Sequence, residues 1–484
     1  MVILLLHHKG DSLMAKEYDV VILGGGTGGY VAAIRASQLG LKAAIVERDQ
    51  LGGTCLHKGC IPSKALLRSA EVYRQSKKAD YYGVELTGVT LNFQKVQQRK
   101  NQIVEQLYKG VQHLIQKGKV DVYHGTGRIL GPSIFSPMPG TISVEMQDGS
   151  ENEMLIPKHV IVATGSRPRT LDGIHVDGQI ILTSDEALKM SSLPKSILIV
   201  GGGVIGIEWA SMLADFEVEV TVLEYSDRIL PTEDDDISSE MTKLLKKRHI
   251  RIKTNVKMDT KTLQISDKGV TVSLENGETY TAEKMLLCVG RVANIENIGL
   301  ENTDIKIENA CIKVNDYFQT KESHIYAIGD VIGGLQLAHV ASHEGIRAVE
   351  HITGMKNEPL YYANIARCVY SNPEIASVGL TEQEAKRQGL TITIGKFPFK
   401  AIGKALVHGD AEGFVKIVAD HHTNDVLGVH LIGPHATDLI SEAALALLLN
   451  ATPWEMGATI HPHPSLSEVI GEAALAVEGR AIHM

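Results

Sequence analysis

The feature that most restricts the fold is a glycine pattern that occurs twice. VVILGGGTGGYVAAIRASQLGLKAAIVERD (20–49) reads as an apolar strand, a glycine-rich turn, a helix and a second strand, with Gly24, Gly26 and Gly29 in G-x-G-x-x-G spacing. SILIVGGGVIGIEWASMLADFEVEVTVLEYSD (196–227) repeats it with Gly201, Gly203 and Gly206. In each copy an acid, Glu47 or Glu224, falls 23 residues after the first glycine. The first glycine makes the tight turn, the second lets backbone approach a pyrophosphate, and the third lets helix pack on strand. The helix N-terminus then faces the phosphates with its N–H groups and positive dipole end. The acid can accept hydrogen bonds from a ribose. Two copies with equal offsets point to an α/β chain with two Rossmann-like domains and two dinucleotides. At 484 residues there is room for about three domains.

A third stretch, HIYAIGDVIGGLQLAHVASHEG (324–345), is a strand ending in Gly329-Asp330 followed by a helix-like run. Alone, it reads as an aspartate capping a helix after a buried strand. It also resembles the second flavin fingerprint of two-dinucleotide flavoproteins, which implies that Asp330 holds the ribitol chain and that the helix start near Ala338 faces the flavin. Beside the first βαβ unit, this assigns FAD to Gly24, Gly26, Gly29 and Glu47, and leaves 201–206 for a nicotinamide nucleotide. VIVATGSRP (160–168) and MLLCVGRVANI (285–295), the second containing Gly290, are apolar strands closing on glycine. They mark where the chain leaves and re-enters the flavin domain. The expected organisation is FAD domain 15–165 and 291–358, NAD domain 166–290 inserted between them, and a C-terminal α+β domain 359–484. Residues 93–117 read as an amphipathic helix with Ile103, Leu107, Val111 and Leu114 on one face.

A net charge of −9 and no basic face argue against nucleic acid as the main partner. Apolar runs are far shorter than the ~20 residues a bilayer span needs. The opening VILLL run lacks a preceding charge and a cleavage site, so Met14 is the expected start and residues 1–13 an upstream extension. Without secretion, five cysteines suggest a reducing cytoplasm, where a disulfide is usually transient and catalytic.

Two of those cysteines, Cys55 and Cys60, lie in GGTCLHKGCIPSKAL (52–66). A structural disulfide, a metal site and a redox pair would each use nearby thiols. No second CxxC or HxxxH set provides zinc ligands, and Cys288, Cys311 and Cys368 read as buried strand residues. A structural disulfide over so short a loop restricts little chain freedom. A redox pair suits the surroundings: Pro62 favours the first turn of a helix, which puts Cys60 near an N-terminus that favours a thiolate.

GGTCLHKGCIPSKALL is similar to the active-site segment of the flavoprotein pyridine nucleotide-disulfide reductases, most closely the dihydrolipoamide dehydrogenase branch. The likeness covers nearly the whole chain after Met14, with the motifs in the family's order. The LHKGCIPSKALL wording is similar to members serving branched-chain 2-oxo acid dehydrogenase complexes. The resemblance implies a Cys55–Cys60 disulfide, with Cys55 meeting the substrate and Cys60 lying against the flavin. It implies that Lys64 lies near the flavin and pairs with Glu208, and that Glu208, Glu224 and Gly290 belong to the NAD site. An acid at 224 repels a 2′-phosphate, whereas Arg228 is a nearby cation that could accept one.

The C-terminal IHPHPSLSEVIGEA (460–473) matches the family's His-Pro-x-x-x-Glu motif, which implies that His463 is the base and Glu468 its partner, with His461 supporting. Ser465 stands where the family usually has threonine. GFVKIVAD, VLGVHLIG and DLISEAALALLL fit the family's dimerisation domain. That implies a homodimer in which each active site takes its histidine from the neighbouring chain. The implied partner is the lipoyl-bearing acyltransferase core of a 2-oxo acid dehydrogenase complex. Mercuric reductase is disfavoured by the C-terminus VEGRAIHM, which lacks a cysteine pair, and glutathione reductase by Glu224. The soluble transhydrogenases are disfavoured by the presence of both redox cysteines. A scaffold role with little turnover is the alternative from another class.

Overall fold

The computed structural model describes residues 16–132, 138–356 and 358–483; the expected extension lies outside them. By its contacts the chain forms two compact units: one through Cys60 with Val104–Arg167 and Val292–Leu360, the other Ile61–Ile103, Pro168–Arg291 and Tyr361–Met484.

The first unit is built on a six-stranded sheet. Lys16–Leu23 lies between Ala43–Glu47 and Glu153–Val162, parallel to both, and Ile325–Ala327 extends the sheet parallel to Glu153–Val162. Asp121–Ile129 continues it beyond Ala43–Glu47, and Ile142–Met146 pairs antiparallel with Asp121–Ile129 and with Glu153–Val162. The central strands read VVIL, AAIVE and VIV because parallel strands are covered on both faces; Val20, Val21, Ile22, Ile45, Val160 and Ile161 are all fully buried. Helices Thr27–Gln38 and Ala338–Ile352 pack closely, and a methyl group at Gly345 would lie 2.7 Å from the Gly28 carbonyl oxygen.

The second unit holds a five-stranded parallel sheet in the order Arg251–Lys253, Glu219–Leu223, Ser196–Val200, Lys284–Leu287, Ile181–Thr183. It also holds the antiparallel strands Arg367–Val369, Glu374–Gly379, Val426–Gly433, Phe414–Asp420 and Ile392–Pro398, in that order. Helices Ala436–Leu448 and Glu468–Val477 bury their alanine- and isoleucine-rich faces in the core of this sheet. Two doubly wound sheets, the second between the strands of the first in sequence, plus a C-terminal α+β sheet, match the expected fold class.

The long helix spans Phe93–Lys117, the bounds expected from the sequence. Leu107 and Leu114 are 43% and 45% exposed, while Val111 and Ile115 are buried. Tyr108 on the same helix sets its ring edge-to-face on His57 at 5.3 Å. The three remaining cysteines are half-buried: Cys311 and Cys368 are on strands, and Cys288 follows one. Among the described residues no helix is long and apolar enough to cross a membrane.

Candidate active site

The two glycine turns are the same device at atomic detail. Gly24 and Gly201 have φ of +105° and +109°, and a methyl group on either would meet the carbonyl oxygen of Ala163 or Cys288 at 2.3 or 2.2 Å. A methyl at Gly29 or Gly206 would lie 1.9 or 2.0 Å from the oxygen of Gly24 or Gly201. At the middle glycines there is room: the nearest atom to a methyl on Gly26 is at 3.9 Å, and on Gly203 nothing lies within 4 Å. Gly26 and Gly203 are also the N-caps of helices Thr27–Gln38 and Val204–Asp215, and neither end carries a side-chain cap or a first-turn acid. An open backbone surface in front of a helix N-terminus fits a pyrophosphate.

The acids are fixed in the same way. Glu47 Oε2 accepts from Gly25 N at 2.6 Å and its Oε1 from Asp49 N at 2.7 Å. Glu224 accepts from Gly202 N and, at 2.6 Å, from Ser226 N. Both carboxylates are buried, and each retains acceptor capacity for a ribose. Arg228 is committed to the Pro231 oxygen at 2.9 Å, the Glu233 oxygen at 3.3 Å and the Asp235 carboxylate. Gly290 has φ +101° with open space around it, and its oxygen accepts from Arg169 N at 3.0 Å. Asp330 lies in the turn Gly329–Ile332 and accepts from Ser166 Oγ, while Gly329 N donates to Glu344 at 2.6 Å. Ala338 is the first residue of its helix. Ser166 and Glu344 escaped the sequence reading; the Gly-Ser step closing VIVATGS is a signal for the first.

The cysteine segment is seated on the first glycine turn. Gly52 N donates to Gly25 O at 2.7 Å, Gly52 and Gly26 form a parallel bridge, and a methyl at Gly53 would meet Gly26 Cα at 2.6 Å. Cys55 lies in the short helix Gly53–His57, and Cys60 is the first residue of helix Cys60–Lys77. The helix dipole therefore acts on the Cys60 sulfur. Tyr30 shares this neighbourhood; burial, and secondarily the charge of Cys55, pushes its phenol up.

Within the second unit, Lys64 Nζ donates to both Glu208 oxygens, at 2.8 and 3.0 Å. Glu208 lies one turn into the helix after the second glycine turn and is 6% exposed. Tyr370 N donates to Glu208 Oε1 at 2.9 Å; the sequence reading did not single out Tyr370.

His463 and Glu468 also meet in the second unit. The imidazole Nδ1 is 2.8 Å from Glu468 Oε1, and Ser465 N donates to Glu468 Oε2 at 2.8 Å. Glu468 opens helix Glu468–Val477. Burial pushes its carboxyl up, but the Ser465 amide and His463 outweigh that and hold it below the ordinary range. His463 is 79% exposed, so its Nε2 edge is accessible. The His461 side chain, by contrast, is only 8% exposed, with Nε2 2.8 Å from Glu442, and that hydrogen bond raises its pKa.

Two dinucleotide turns, a CxxxxC segment on one of them and an oriented imidazole form a known combination. The model for pyridine nucleotide-disulphide oxidoreductases matches residues 18–345, and that for the dimerisation domain of the same family matches residues 365–474. The chain belongs to this family. It is 69% identical over 473 residues to a dihydrolipoyl dehydrogenase of Bacillus subtilis (strain 168), covering 97% of this chain and all of the relative. A dihydrolipoyl dehydrogenase of Zymomonas mobilis is 44% identical over 475 residues, again covering 97% of this chain and all of the relative. The crystal structure of LpdA from Mycobacterium tuberculosis superposes with a TM-score of 0.87 at 28% identity, covering 95% of this chain and 99% of that one. The family and the branch expected from the cysteine segment are those found.

Proposed function

We propose that the chain is an NAD-dependent dihydrolipoyl dehydrogenase, working as a homodimer in the cytoplasm and oxidising dihydrolipoyl groups carried by the acyltransferase core of a 2-oxo acid dehydrogenase complex. The observation that carries this reading is the seat of the cysteines, held against the first dinucleotide turn by the Gly52–Gly25 hydrogen bond. The relatives named above supply the substrate class.

The resting protein carries a Cys55–Cys60 disulfide. His463, oriented by Glu468, takes the proton of one substrate thiol. The thiolate attacks Cys55 Sγ; the Cys55–Cys60 bond breaks and Cys60 leaves as a thiolate that the helix start stabilises. The second substrate thiol displaces Cys55, which departs with that thiol's proton, and the lipoyl S–S bond closes. Two electrons now reside on the cysteine pair. FAD would be held at Gly24, Gly26, Gly29, Glu47, Asp330 and Ala338, and it would supply the two-electron relay chemistry between a dithiol and a hydride acceptor. NAD⁺ would be held at Gly201, Gly203, Gly206, Glu208, Glu224 and Gly290, with Lys64, the partner of Glu208, beside the flavin. Glu224 and the engagement of Arg228 by Asp235 favour NAD⁺ over NADP⁺.

The test is NADH formation from NAD⁺ and dihydrolipoamide, measured beside NADPH oxidation with glutathione disulfide. Fast NADH formation that vanishes in Cys55→Ala supports the reading; faster glutathione-dependent oxidation of NADPH overturns it. Mixing Cys55→Ala and His463→Ala subunits should restore part of the activity if the imidazole serves a neighbouring copy.

A further inference from the structure

The Lys64–Glu208 pair has a third member. Tyr370, at the end of strand Arg367–Val369, touches both partners. Its backbone amide donates to Glu208 Oε1 at 2.9 Å, and its ring lies under Lys64 Nζ at 4.6 Å from the centroid. Lys64 is therefore held from two sides, by a bidentate carboxylate and by an aromatic face. A lysine ammonium ends a flexible four-carbon stem and is otherwise free to swing into solvent; Lys64 is 32% exposed, so that escape is open. The ring also stays neutral, because burial first, then the charges of Cys368 and Glu208, pushes the phenol up to about 12.

We infer that Tyr370 is a positioning residue for the redox centre: its ring fixes the ammonium of Lys64 and its backbone fixes Glu208. This rests on the proposed placement of Lys64 beside the flavin. Reduction adds negative charge to the flavin–cysteine centre, so a cation held in place favours the reduced state, and one allowed to wander favours it less.

The two anchors can be separated, since any side chain at 370 keeps the amide. In the FAD-loaded dimer, Tyr370→Phe keeps a ring and should behave like the parent. Tyr370→Leu should lower kcat per bound flavin by about two- to tenfold, the range of a cation–π contact. It should also weaken the long-wavelength absorbance of the two-electron-reduced protein and shift the reduction potential downward, by at most about 30 mV for the tenfold limit. Rescue by phenylalanine together with a shifted potential supports the inference. A Tyr370→Leu protein with parental potential and kcat per flavin overturns it, even if the protein melts earlier. Lys64→Ala separates the two layers. If it leaves the potential unchanged, the placement of Lys64 fails, and the inference with it. If it shifts the potential while Tyr370→Leu does not, only the role of Tyr370 fails.

Discussion

The two glycine turns have matching geometry but are assigned different dinucleotides, and paired substitutions separate them. In Gly206→Ala the new methyl would lie 2.0 Å from the Gly201 oxygen, and in Gly29→Ala 1.9 Å from the Gly24 oxygen. Ordinary carbon–oxygen contacts are well above 3 Å, so each turn must move by more than 1 Å or the helix must back away. Overpacking of this kind costs about 1–3 kcal/mol, equivalent to about 5- to 150-fold in affinity where the distortion falls on the ligand's own cradle. Gly206→Ala should purify with full flavin content and show KM for NAD⁺ raised within that range, with dithiol reduction of the flavin intact. Gly29→Ala should purify with little flavin. Flavin absorbance per protein and NADH titration read the two sites independently. The assignment is refuted if Gly206→Ala loses flavin while Gly29→Ala keeps it, and the steric argument is refuted if both variants bind both ligands normally.

Three other outcomes are expected. Glu468→Gln exchanges a charge-assisted hydrogen bond to His463 for a neutral one, a loss of about 1–1.5 kcal/mol, so kcat/KM for dihydrolipoamide should fall by about 5- to 15-fold with flavin content unchanged. Lys416 is 1% exposed and lies 2.8 Å from Asp234, itself fully buried, with Asp236 at 3.1 Å and Glu382 at 2.6 Å. Lys416→Met strands the Asp234 charge and should cost about 3–5 kcal/mol, visible as a lower urea midpoint; an unchanged midpoint contradicts it. The same cluster sets an acid limit. Burial pushes Asp236 up, but the charges and hydrogen bonds of Lys416 and Lys396 together outweigh it, and hydrogen bonds from Lys386 and Lys416 lower Glu382. Both folded pKa values are depressed, so their stabilisation is fully present above the unfolded values near 4 and is lost as pH falls through the folded ones. The parent should therefore lose more stability than Lys416→Met between pH 7 and pH 3; equal losses would refute this.

Legibility followed locality. The glycines, Glu47 and Glu224 were readable because their partners lie within one βαβ unit: Glu224 binds Gly202 and Ser226, 22 and 2 residues away. His463 and Glu468 also lie close in sequence, but their pairing was legible only through the likeness to the family's His-Pro-x-x-x-Glu motif. The packing of Tyr108 on His57 was not legible, because the two lie far outside any periodicity window. The run Glu233–Asp236 looks like a solvated acid patch, yet Asp234 is fully buried on a lysine 182 residues away. Tyr370 serves Glu208 from 162 residues away, partly through a backbone amide that carries no side-chain signature.

The most direct test of the account is differential alkylation of the five cysteines, read by peptide mass, before and after addition of dihydrolipoamide. The account predicts that Cys55 and Cys60 resist alkylation in the resting protein and become labelled together after dihydrolipoamide, with NAD⁺ restoring their protection. Labelling of Cys55 and Cys60 without reductant, or a reducible pair elsewhere in the chain, would contradict it.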